Sequence, residues 1–294
     1  MANRHFGRIG DVWKHLPLAD ILLLERPRRY WETHAGSASY PLTPSMERDY
    51  GVYHFWEHSR ASPHLAVCRY RQTLAHSAFR CDRPSLYPGS SLIAMEILGQ
   101  ATVYLLPDLD GDSVTSLDQA AADRQLPDVA YPQADGVTEI RRAADNVATA
   151  DVRATFVLVD PFYPFGDTTG SVTPVDLFCQ VAARGFMAMF WYGFDSIAHR
   201  VELHARIAEI LMEYGICGAT SPLWCGEVAL AALGRPGFAV QPGTRGCGIL
   251  LANLALATSQ RCADLGEALA AIYSTARFPD GEDGSLHFST VTYW

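Results

Sequence analysis

The chain has 294 residues, of which 23 are Lys or Arg and 32 are Asp or Glu, so its formal net charge is −9. A hydrophobic content of 49% with 19% charged residues excludes an intrinsically disordered chain. The acidic balance argues against broad non-specific nucleic-acid binding, which needs a basic face, although a local basic groove is compatible with it. The length suits one large α/β domain or one domain with an insertion.

The first predicted element is a helix that begins at Asp11, an N-capping residue type, and carries apolar side chains toward a core. Pro17 is expected to disturb the middle of this helix. A short strand follows at Arg29–Glu32, and residues 34–38 form the loop after it. Residues 44–86 are rich in aromatic residues and arginine and show partly helical periodicity.

The rest of the chain alternates predicted strands with predicted helices. A turn at 87–91 leads into a helix at 92–98, and the later elements are strands at 101–106, 154–159 and 185–192, a helix at 199–213 and a closing edge strand at 286–294. This alternation predicts a doubly wound α/β sheet, in which ligands bind at the carboxyl ends of the strands. Residues 32–36, 108 and 160 follow such strands and are expected to share one cleft.

The seven cysteines are scattered along the chain, with no CxxC pair and no Cys/His spacing typical of zinc. Residues 1–16 lack the apolar region of a signal peptide, and the apolar stretch at 216–234 is interrupted by Pro222, Glu227 and several glycines. We therefore expect a reduced, soluble, cytoplasmic protein without a membrane segment or a metal site.

Lys14 is the one lysine beside 22 arginines, and its isolation has two interpretations. The chain can simply favour Arg over Lys, which would make Lys14 an accident of composition. Alternatively, this position needs a compact, titratable ammonium that the wide, planar guanidinium cannot replace. Lys14 and His15 lie in the first predicted turn after Asp11, and this segment alone also fits an ordinary capped helix with exposed charges.

Three short motifs place a glycine or an acid near predicted strand ends or in loops. In Glu32-Thr33-His34-Ala35-Gly36, a glycine after a strand lets the backbone approach a ligand closely. Asp108 at a strand end is suited to accept hydrogen bonds from ribose hydroxyls, and it equally fits a solvated turn. The pair Asp135-Gly136 is suited to receive an adenine amine, with a plain turn as the alternative.

Asp160-Pro161-Phe162-Tyr163 follows the central predicted strand and resembles the (Asp/Asn)-Pro-Pro-aromatic tetrapeptide of amine-methylating enzymes. In such a motif the carboxylate and the proline carbonyl accept hydrogen bonds from the substrate amine, which directs the nitrogen lone pair at the methyl sulfonium. The aromatic ring stacks on a planar base. Asp-Pro after a strand is also a common turn.

In order and spacing, these motifs together resemble the RlmJ-type family of ribosomal RNA adenine-amine methyltransferases, which use S-adenosylmethionine (SAM). The matching stretches are His5-x-Gly7-x-x-x-Asp11-Val12-x-Lys14-His15, Tyr30-x-x-Thr33-His34-Ala35-Gly36, Tyr87-Pro88-Gly89-Ser90-x-Leu92-Ile93-Ala94, Ala134-Asp135-Gly136, Asp160-Pro161-x-Tyr163 and Trp191-Tyr192. They cover most of the chain, and the C-terminal hundred residues or so match only loosely.

The resemblance implies an α/β, Rossmann-like class I SAM-dependent methyltransferase fold. It implies a SAM-binding domain at 1–43 and 87–294 and an inserted small helical subdomain at 44–86. The residues it implies for SAM binding are Lys14, His15, His34, Gly36, Ser90, Asp108, Asp135, Gly136, Asp160 and Pro161. Asp160, Pro161 and Tyr163 would face the group to be alkylated, and Asp160, Tyr163 and Lys14 are the candidate catalytic residues.

Departures from the family pattern concentrate on the acceptor side. Phe162 replaces the second proline of the tetrapeptide, Ala38 replaces a loop glycine, and Gly193 replaces a proline after Trp191-Tyr192. The family's later Asn-Pro-Pro-Trp segment is absent, and the chain there reads Ala252-Asn253-Leu254-Ala255-Leu256. The implied SAM ligands are largely kept, which favours a divergent, repurposed member.

Three functions are compatible with these residues. The favoured one is a SAM enzyme repurposed for small-molecule chemistry, which either methylates a small amine or hydroxyl or cyclises SAM's own aminocarboxypropyl arm to an azetidine or cyclopropane amino acid. The second version releases methylthioadenosine. Its proton acceptor would be Asp160, Tyr163 or a neutral Lys14, and Phe162 would fill the space that a flipped nucleobase would occupy. The alternatives are an N6-adenine methyltransferase of large-subunit ribosomal RNA, with the arginines of 44–86 at phosphates, and a non-catalytic SAM-binding protein.

Overall fold

The computed structural model describes residues 6–78, 83–166, 172–217, 223–234, 244–279 and 281–293. Three residues of the predicted motifs and elements lie outside the described residues. They are His5 of the first motif, Arg80 of the arginine-rich block and Trp294 of the predicted last strand. In the described ranges, no helix is long and apolar enough to cross a membrane.

The strands form one large sheet and one small ribbon. The bounds are β1 (Arg29–Glu32), β2 (Ser39–Pro41), β3 (Leu86–Pro88), β4 (Val103–Leu105), β5 (Val129–Ala130), β6 (Thr155–Val159), β7 (Met187–Phe194), β8 (Leu223–Leu230), β9 (Gly246–Ala252) and β10 (Leu286–Val291). The main sheet has the order β5-β4-β1-β6-β7-β9-β8-β10, and β2 pairs with β3 separately. The five strands from β5 to β7 are parallel, whereas β9, β8 and β10 add in antiparallel fashion.

The strand order creates a switch point between β1 and β6. From β1 the chain runs outward through β4 to β5 and then returns to β6 on the other side of β1. Ligands of open α/β sheets bind at such a point, outside the carboxyl ends of the strands. The architecture is a Rossmann-like class I methyltransferase fold, and the predicted fold class is confirmed.

Helices cover both faces of the sheet. Their bounds are α1 (Ile9–Glu25), α2 (Met46–Arg48), α3 (His54–His58), α4 (Pro63–Ala66), α5 (Arg69–Ala78), α6 (Ser90–Leu98), α7 (Gly111–Asp123), α8 (Gly136–Asn146), α9 (Thr149–Val152), α10 (Pro174–Ala183), α11 (Ile197–Glu213) and α12 (Leu256–Ile272). One core cluster unites α1, α5, α6, α7 and α12, and the other unites α8, α10 and α11. All five residues of β6 are buried between the two, as the sequence predicts for a central parallel strand.

The structure corrects the start and the middle of the first helix. It begins at Ile9, and Asp11 is its third residue, where the carboxylate accepts a hydrogen bond from the Arg8 backbone N–H at 3.3 Å. The helix continues through Pro17 to Glu25, so the predicted disturbance is wrong. A proline inside a helix costs about 3 kcal/mol, and the burial of nearly every residue from 9 to 22 offsets that cost.

Later boundaries shift by a few residues for local reasons. The helix predicted at 199–213 begins at Ile197 because the Ser196 side chain accepts the His199 backbone N–H at 3.2 Å and caps it. The strand predicted at 185–192 extends to Phe194 because its pairing with β9 continues to Gly246. The predicted closing strand lies at the sheet edge as β10.

The block at 44–86 is bracketed by the β2–β3 ribbon. Within it, α2 to α5 are joined by a π-helical turn at Asp49–Tyr53 and a short 3-10 turn at Ser59–Ala61. Its buried apolar side chains belong to the same core cluster as α1 and α12. The division of the chain into two domains at these boundaries stays a prediction.

Candidate functional site

A cavity of about 290 Å³ lies where the parallel strands end. Its lining comes from the start of α1, the loops after β1, β4 and β6, the start of α7, strand β7 and the segment before β9. The lining residues are Arg8, Gly10, Asp11, Lys14, His34, Gly36, Asp108, Asp110, Ser113, Asp160, Pro161, Phe162, Trp191 and Thr244. The expected common cleft after β1, β4 and β6 is therefore present in the structure.

Lys14 joins two carboxylates at this cavity. Its Nζ donates to Asp160 Oδ2 at 2.5 Å and lies 3.5 Å from Asp11 Oδ1. Asp11 is three residues earlier on α1, so the two side chains share one face of the helix. The Lys14 side chain is only 10% exposed, and a charge this buried is stable only when it is paired. The ammonium thus bridges two carboxylates supplied by separate elements.

The charge state of Lys14 follows from these partners. Burial alone would lower the pKa of Lys14, but the Asp160 and Asp11 carboxylates outweigh it and raise that pKa above its usual value. Burial also raises the pKa of Asp11, although Lys14 opposes that shift. The direction found for Lys14 is the opposite of the one that a neutral Lys14 base requires. We therefore treat Lys14 as a cation.

The loop after β1 is tied to the loop after β4 through Asp108. Asp108 Oδ2 accepts the Gly36 backbone N–H at 2.8 Å, and its Oδ1 accepts the Asp110 N–H at 2.9 Å. Gly36 has φ +59°, a left-handed conformation that favours glycine. The carboxylate therefore fixes the cavity wall, and it still has lone pairs for a ligand hydroxyl.

Four of the residues implied for SAM binding are buried or capping rather than lining the cavity. The His15 Nδ1 is 2.9 Å from the Tyr87 hydroxyl, and burial, aided by Lys14, holds the pKa of His15 well below its usual value. Ser90 donates to the buried Glu32. Asp135 caps α8 by accepting the Thr138 N–H at 2.8 Å, and Gly136 begins that helix.

The two aromatic residues after Asp160 lie at the surface. Phe162 is 75% exposed and is one of the residues that line the cavity, and the expectation that it fills the space of a flipped base stays a prediction. Tyr163 is 55% exposed and is not among the lining residues, and its ring meets the Phe162 ring edge-on at 4.8 Å. Exposed aromatic faces of this kind can stack on a planar ligand.

Trp191 and Thr244 line the cavity with Lys14, and Glu32 acts on the charge of Lys14. None of the three is among the predicted site residues, although the predicted cleft includes Glu32 and a predicted motif includes Trp191. The Trp191 ring centroid is 5.8 Å from Lys14 Nζ, within cation–π range. Thr244 precedes β9 in a part of the chain that carries no motif. Glu32 ends β1 and is fully buried. The signal in the sequence is an acid that directly follows Tyr30 and Trp31 at the end of a predicted strand. In the described ranges, no three His, Cys, Asp or Glu side chains converge to hold a metal ion.

No protein-family model matches the chain, and no curated protein matches its sequence. Among solved structures, it is similar to protein LPL1258 from Legionella pneumophila strain Philadelphia 1, described under family model DUF519, with TM-score 0.72 and 20% identity over 98% of each chain. A Thermobifida fusca protein provisionally described as a methyltransferase has TM-score 0.41 and 13% identity, over 84% of this chain and 82% of that one. A Klebsiella pneumoniae protein provisionally described as an O-methyltransferase has TM-score 0.38 and 10% identity, over 86% and 84%. The likeness to LPL1258 shows a shared fold along almost the whole chain.

Proposed function

We propose that the protein is a SAM-dependent transferase that acts on a small molecule, with SAM in the cavity around Lys14. The observation that carries the proposal is the Lys14 ammonium held between Asp160 and Asp11 at the switch point of the sheet. The lining fits SAM in its chemistry, because carboxylates accept hydrogen bonds from ribose hydroxyls and amines, and an ammonium can face a carboxylate. Membership in the RlmJ-type family is part of the same proposal.

The residues then have separate roles. Asp108 would accept hydrogen bonds from the ribose, and Lys14 would hold Asp160 in a fixed position while its charge faces the SAM carboxylate. Because Oδ2 of Asp160 accepts from Lys14, we assign Oδ1 to the amine of the acceptor, which loses its proton to this carboxylate as the new bond forms. SAM supplies an electrophilic carbon beside its sulfonium.

The cavity is small for a pocket that would hold SAM and an acceptor together. About 290 Å³ is at the lower limit of small-molecule pockets. A pocket of that size has little room beyond SAM itself, so any acceptor, small molecule or extruded base, would approach from the exposed side at Phe162. Self-cyclisation of the aminocarboxypropyl arm is the version that needs no acceptor at all. Its amine, or its α-carbon after a proton has been abstracted by Asp160, would displace methylthioadenosine from the γ-carbon.

The arginines of the helical block offer little support for an RNA surface. Arg48 donates to the Thr43 carbonyl at 2.6 Å and its guanidinium lies over the Phe6 ring. Arg83 is paired with Glu57 at 2.5 Å. Arg71 is buried with its guanidinium 4.1 Å from the centroid of the Trp56 ring. Arg48 and Arg71 are thus engaged within the chain, whereas the Arg83–Glu57 pair is exposed and weak enough for a phosphate to displace it.

The test is incubation of the purified protein with SAM alone, and with a panel of small amines, followed by mass spectrometry. We expect methylthioadenosine with a cyclic amino acid, or a methylated amine with S-adenosylhomocysteine. We expect Asp160→Asn to bind SAM but to form neither product, because its amide cannot take the proton. Asp151→Asn is the matched control, since Asp151 pairs with Arg28 and Arg29 away from the cavity.

The other outcomes separate the alternatives. Transfer of labelled methyl to unmodified ribosomal RNA, with no small-molecule product, would establish the RNA methyltransferase instead. SAM binding without any product would leave a non-catalytic SAM-binding protein. Absence of SAM binding by calorimetry would overturn the proposal.

A further inference from the structure

A buried carboxyl lies behind the cavity and has no part in the proposed transfer. Glu32 is 0% exposed and accepts hydrogen bonds from three hydroxyls, those of Ser90, Ser91 and Tyr30. Ser90 and Ser91 begin α6, and Glu32 ends β1, so the carboxyl joins the two elements. Three hydroxyl donors can satisfy an ionised carboxylate without a cation.

One of these hydroxyls has two acceptors. Ser91 Oγ is 3.0 Å from Glu32 Oε2 and 2.9 Å from the Ala35 carbonyl oxygen. A serine hydroxyl has a single proton and donates fully to one acceptor at a time. Ala35 lies between His34 and Gly36, which both line the cavity. The acceptor to which Ser91 donates therefore determines whether the cavity wall at Ala35 is hydrogen-bonded to α6.

The protonation of Glu32 decides between the two acceptors. An ionised Glu32 only accepts, so it draws the Ser91 proton toward itself. A protonated Glu32 can donate its own proton to Ser91 Oγ, which frees the Ser91 proton for the Ala35 carbonyl. Burial raises the pKa of Glu32 to about 8; Asp160 adds to this, while Ser90, Lys14 and Tyr30 oppose it. The change thus falls in a range of pH where the protein can be studied.

We propose that Glu32 is a positioning residue whose protonation, relayed through Ser91, tethers or releases the loop at 33–36 that walls the SAM site. The identity of the ligand rests on the proposed function, whereas the switch itself does not. With Glu32 protonated, the loop gains a hydrogen bond from α6 and is held for SAM. With Glu32 ionised, that hydrogen bond is lost to the carboxylate.

The switch is tested first without any ligand, by hydrogen exchange of a peptide that covers residues 33–36. Wild type is compared with Glu32→Gln and Ser91→Ala at pH 6 and pH 9, and taking the ratio of variant to wild type at each pH cancels the intrinsic pH dependence of exchange. We expect wild type to be as protected as Glu32→Gln at pH 6 and less protected at pH 9. Ser91→Ala is expected to be less protected than wild type at pH 6 and equal to it at pH 9.

Glu227→Gln is the matched control, because Glu227 is also a buried carboxyl (1% exposed) but packs in the core on the other face of the sheet. Its ratio to wild type is expected to be the same at both pH values. A ratio for Glu32→Gln that does not change with pH would overturn the proposal, and so would stronger wild-type protection at pH 9.

The second measurement is the Kd for SAM across the same pH range. The ratio of wild type to Glu32→Gln cancels the titration of the ligand's own amine, which also occurs near pH 8. We expect this ratio to be close to one at pH 6 and to rise through a midpoint near pH 8. No SAM binding by any variant would overturn the proposed function, while the exchange result would still decide the role of Glu32. SAM binding with a pH-independent ratio would overturn the coupling of Glu32 to the site.

Discussion

Position 14 suits a lysine because its charged group, an ammonium, is compact. One ammonium reaches Asp160 at 2.5 Å and Asp11 at 3.5 Å from a helix that packs tightly between other elements. A guanidinium is planar and wider, and its donors point in a fixed fork. Arginine at this position would displace one carboxylate or the helix itself. The geometry thus supports the interpretation that the position needs an ammonium.

The comparison of Lys14→Arg with Arg28→Lys tests this directly. We expect Lys14→Arg to lower kcat/KM for product formation by about a hundredfold, since misplacement of a reacting group by about 1 Å has that effect. Arg28→Lys is the reciprocal exchange at a side chain that is 68% exposed and pairs with Asp151, and it is expected to leave turnover unchanged. Equal turnover of the two variants would show that Lys14 is an accident of composition.

At the scale of elements, the position of helix α8 depends on a close contact at Gly136 that leaves no room for a side chain. Gly136 is its first residue, and a Cβ there would overlap the carbonyl oxygen of Thr33. Thr33 follows β1, and its hydroxyl accepts the Asp160 backbone N–H at 3.3 Å. The start of α8 therefore packs against the loop after β1, whose Thr33 hydroxyl hydrogen-bonds the backbone of Asp160. Gly136 has a packing reason for being glycine, whatever its part in binding.

We expect Gly136→Ala to lower the free energy of unfolding by about 1–3 kcal/mol, the range for overpacked sites. The physical reason is that Thr33 or α8 must move to admit the methyl group. Gly166→Ala is the control, because a Cβ at Gly166 meets nothing within 4 Å. Urea denaturation of both variants measures the difference, and equal midpoints would contradict the packing role.

The elements that the sequence predicts well are those whose burial is local and periodic. Strand β6 reads as a continuous apolar run and is buried on both faces. The passage of α1 through Pro17 was not predictable, because the contacts that hold it come from distant parts of the chain. The same holds within the site. Lys14 and Asp160 were found through motifs, but the role of Glu32 depends on Ser91, 59 residues away.

At the scale of the whole molecule, two buried carboxyls on opposite faces of the sheet respond to pH in opposite ways. Glu227 accepts from the Tyr192 hydroxyl at 2.7 Å, from Arg200 Nε at 2.7 Å and from His204 Nε2 at 2.5 Å. Burial would raise the pKa of Glu227, but these donors outweigh it and lower that pKa. Glu32 has only hydroxyl donors, and burial raises its pKa to about 8.

A carboxyl whose pKa differs between the folded and the unfolded state makes the stability of the protein depend on pH. The two pKa shifts therefore predict how stability changes with pH. The folded protein holds a proton on Glu32 up to about pH 8, whereas the unfolded chain releases it near pH 4.5. The contribution of Glu32 is therefore complete below pH 4.5 and is lost as the pH rises through 8. Glu227 contributes above pH 4.5, and its contribution is lost as the pH falls through its lowered pKa.

Thermal unfolding of Glu32→Gln and Glu227→Gln between pH 3 and pH 9 measures both contributions. We expect Glu32→Gln to lose the decline in Tm that wild type shows between about pH 4.5 and pH 8. We expect Glu227→Gln to have a lower Tm near pH 7, where it leaves Arg200 without its buried carboxylate, and a smaller decline in acid. Parallel curves for wild type and Glu32→Gln would contradict the raised pKa of Glu32.

Helix α1 also has a consequence for the order in which the molecule is assembled. Its 17 residues form a rod of about 26 Å. Trp13 Nε1 donates to the Gly226 carbonyl, Asp20 accepts from Arg261, and Glu25 accepts from the Ala255 N–H. These partners lie more than 200 residues later, and contacts of such long range form slowly during folding. We therefore expect the contacts of α1 with the last third of the chain to form late in folding, so that the helix which carries Lys14 is held in its final position only at that stage.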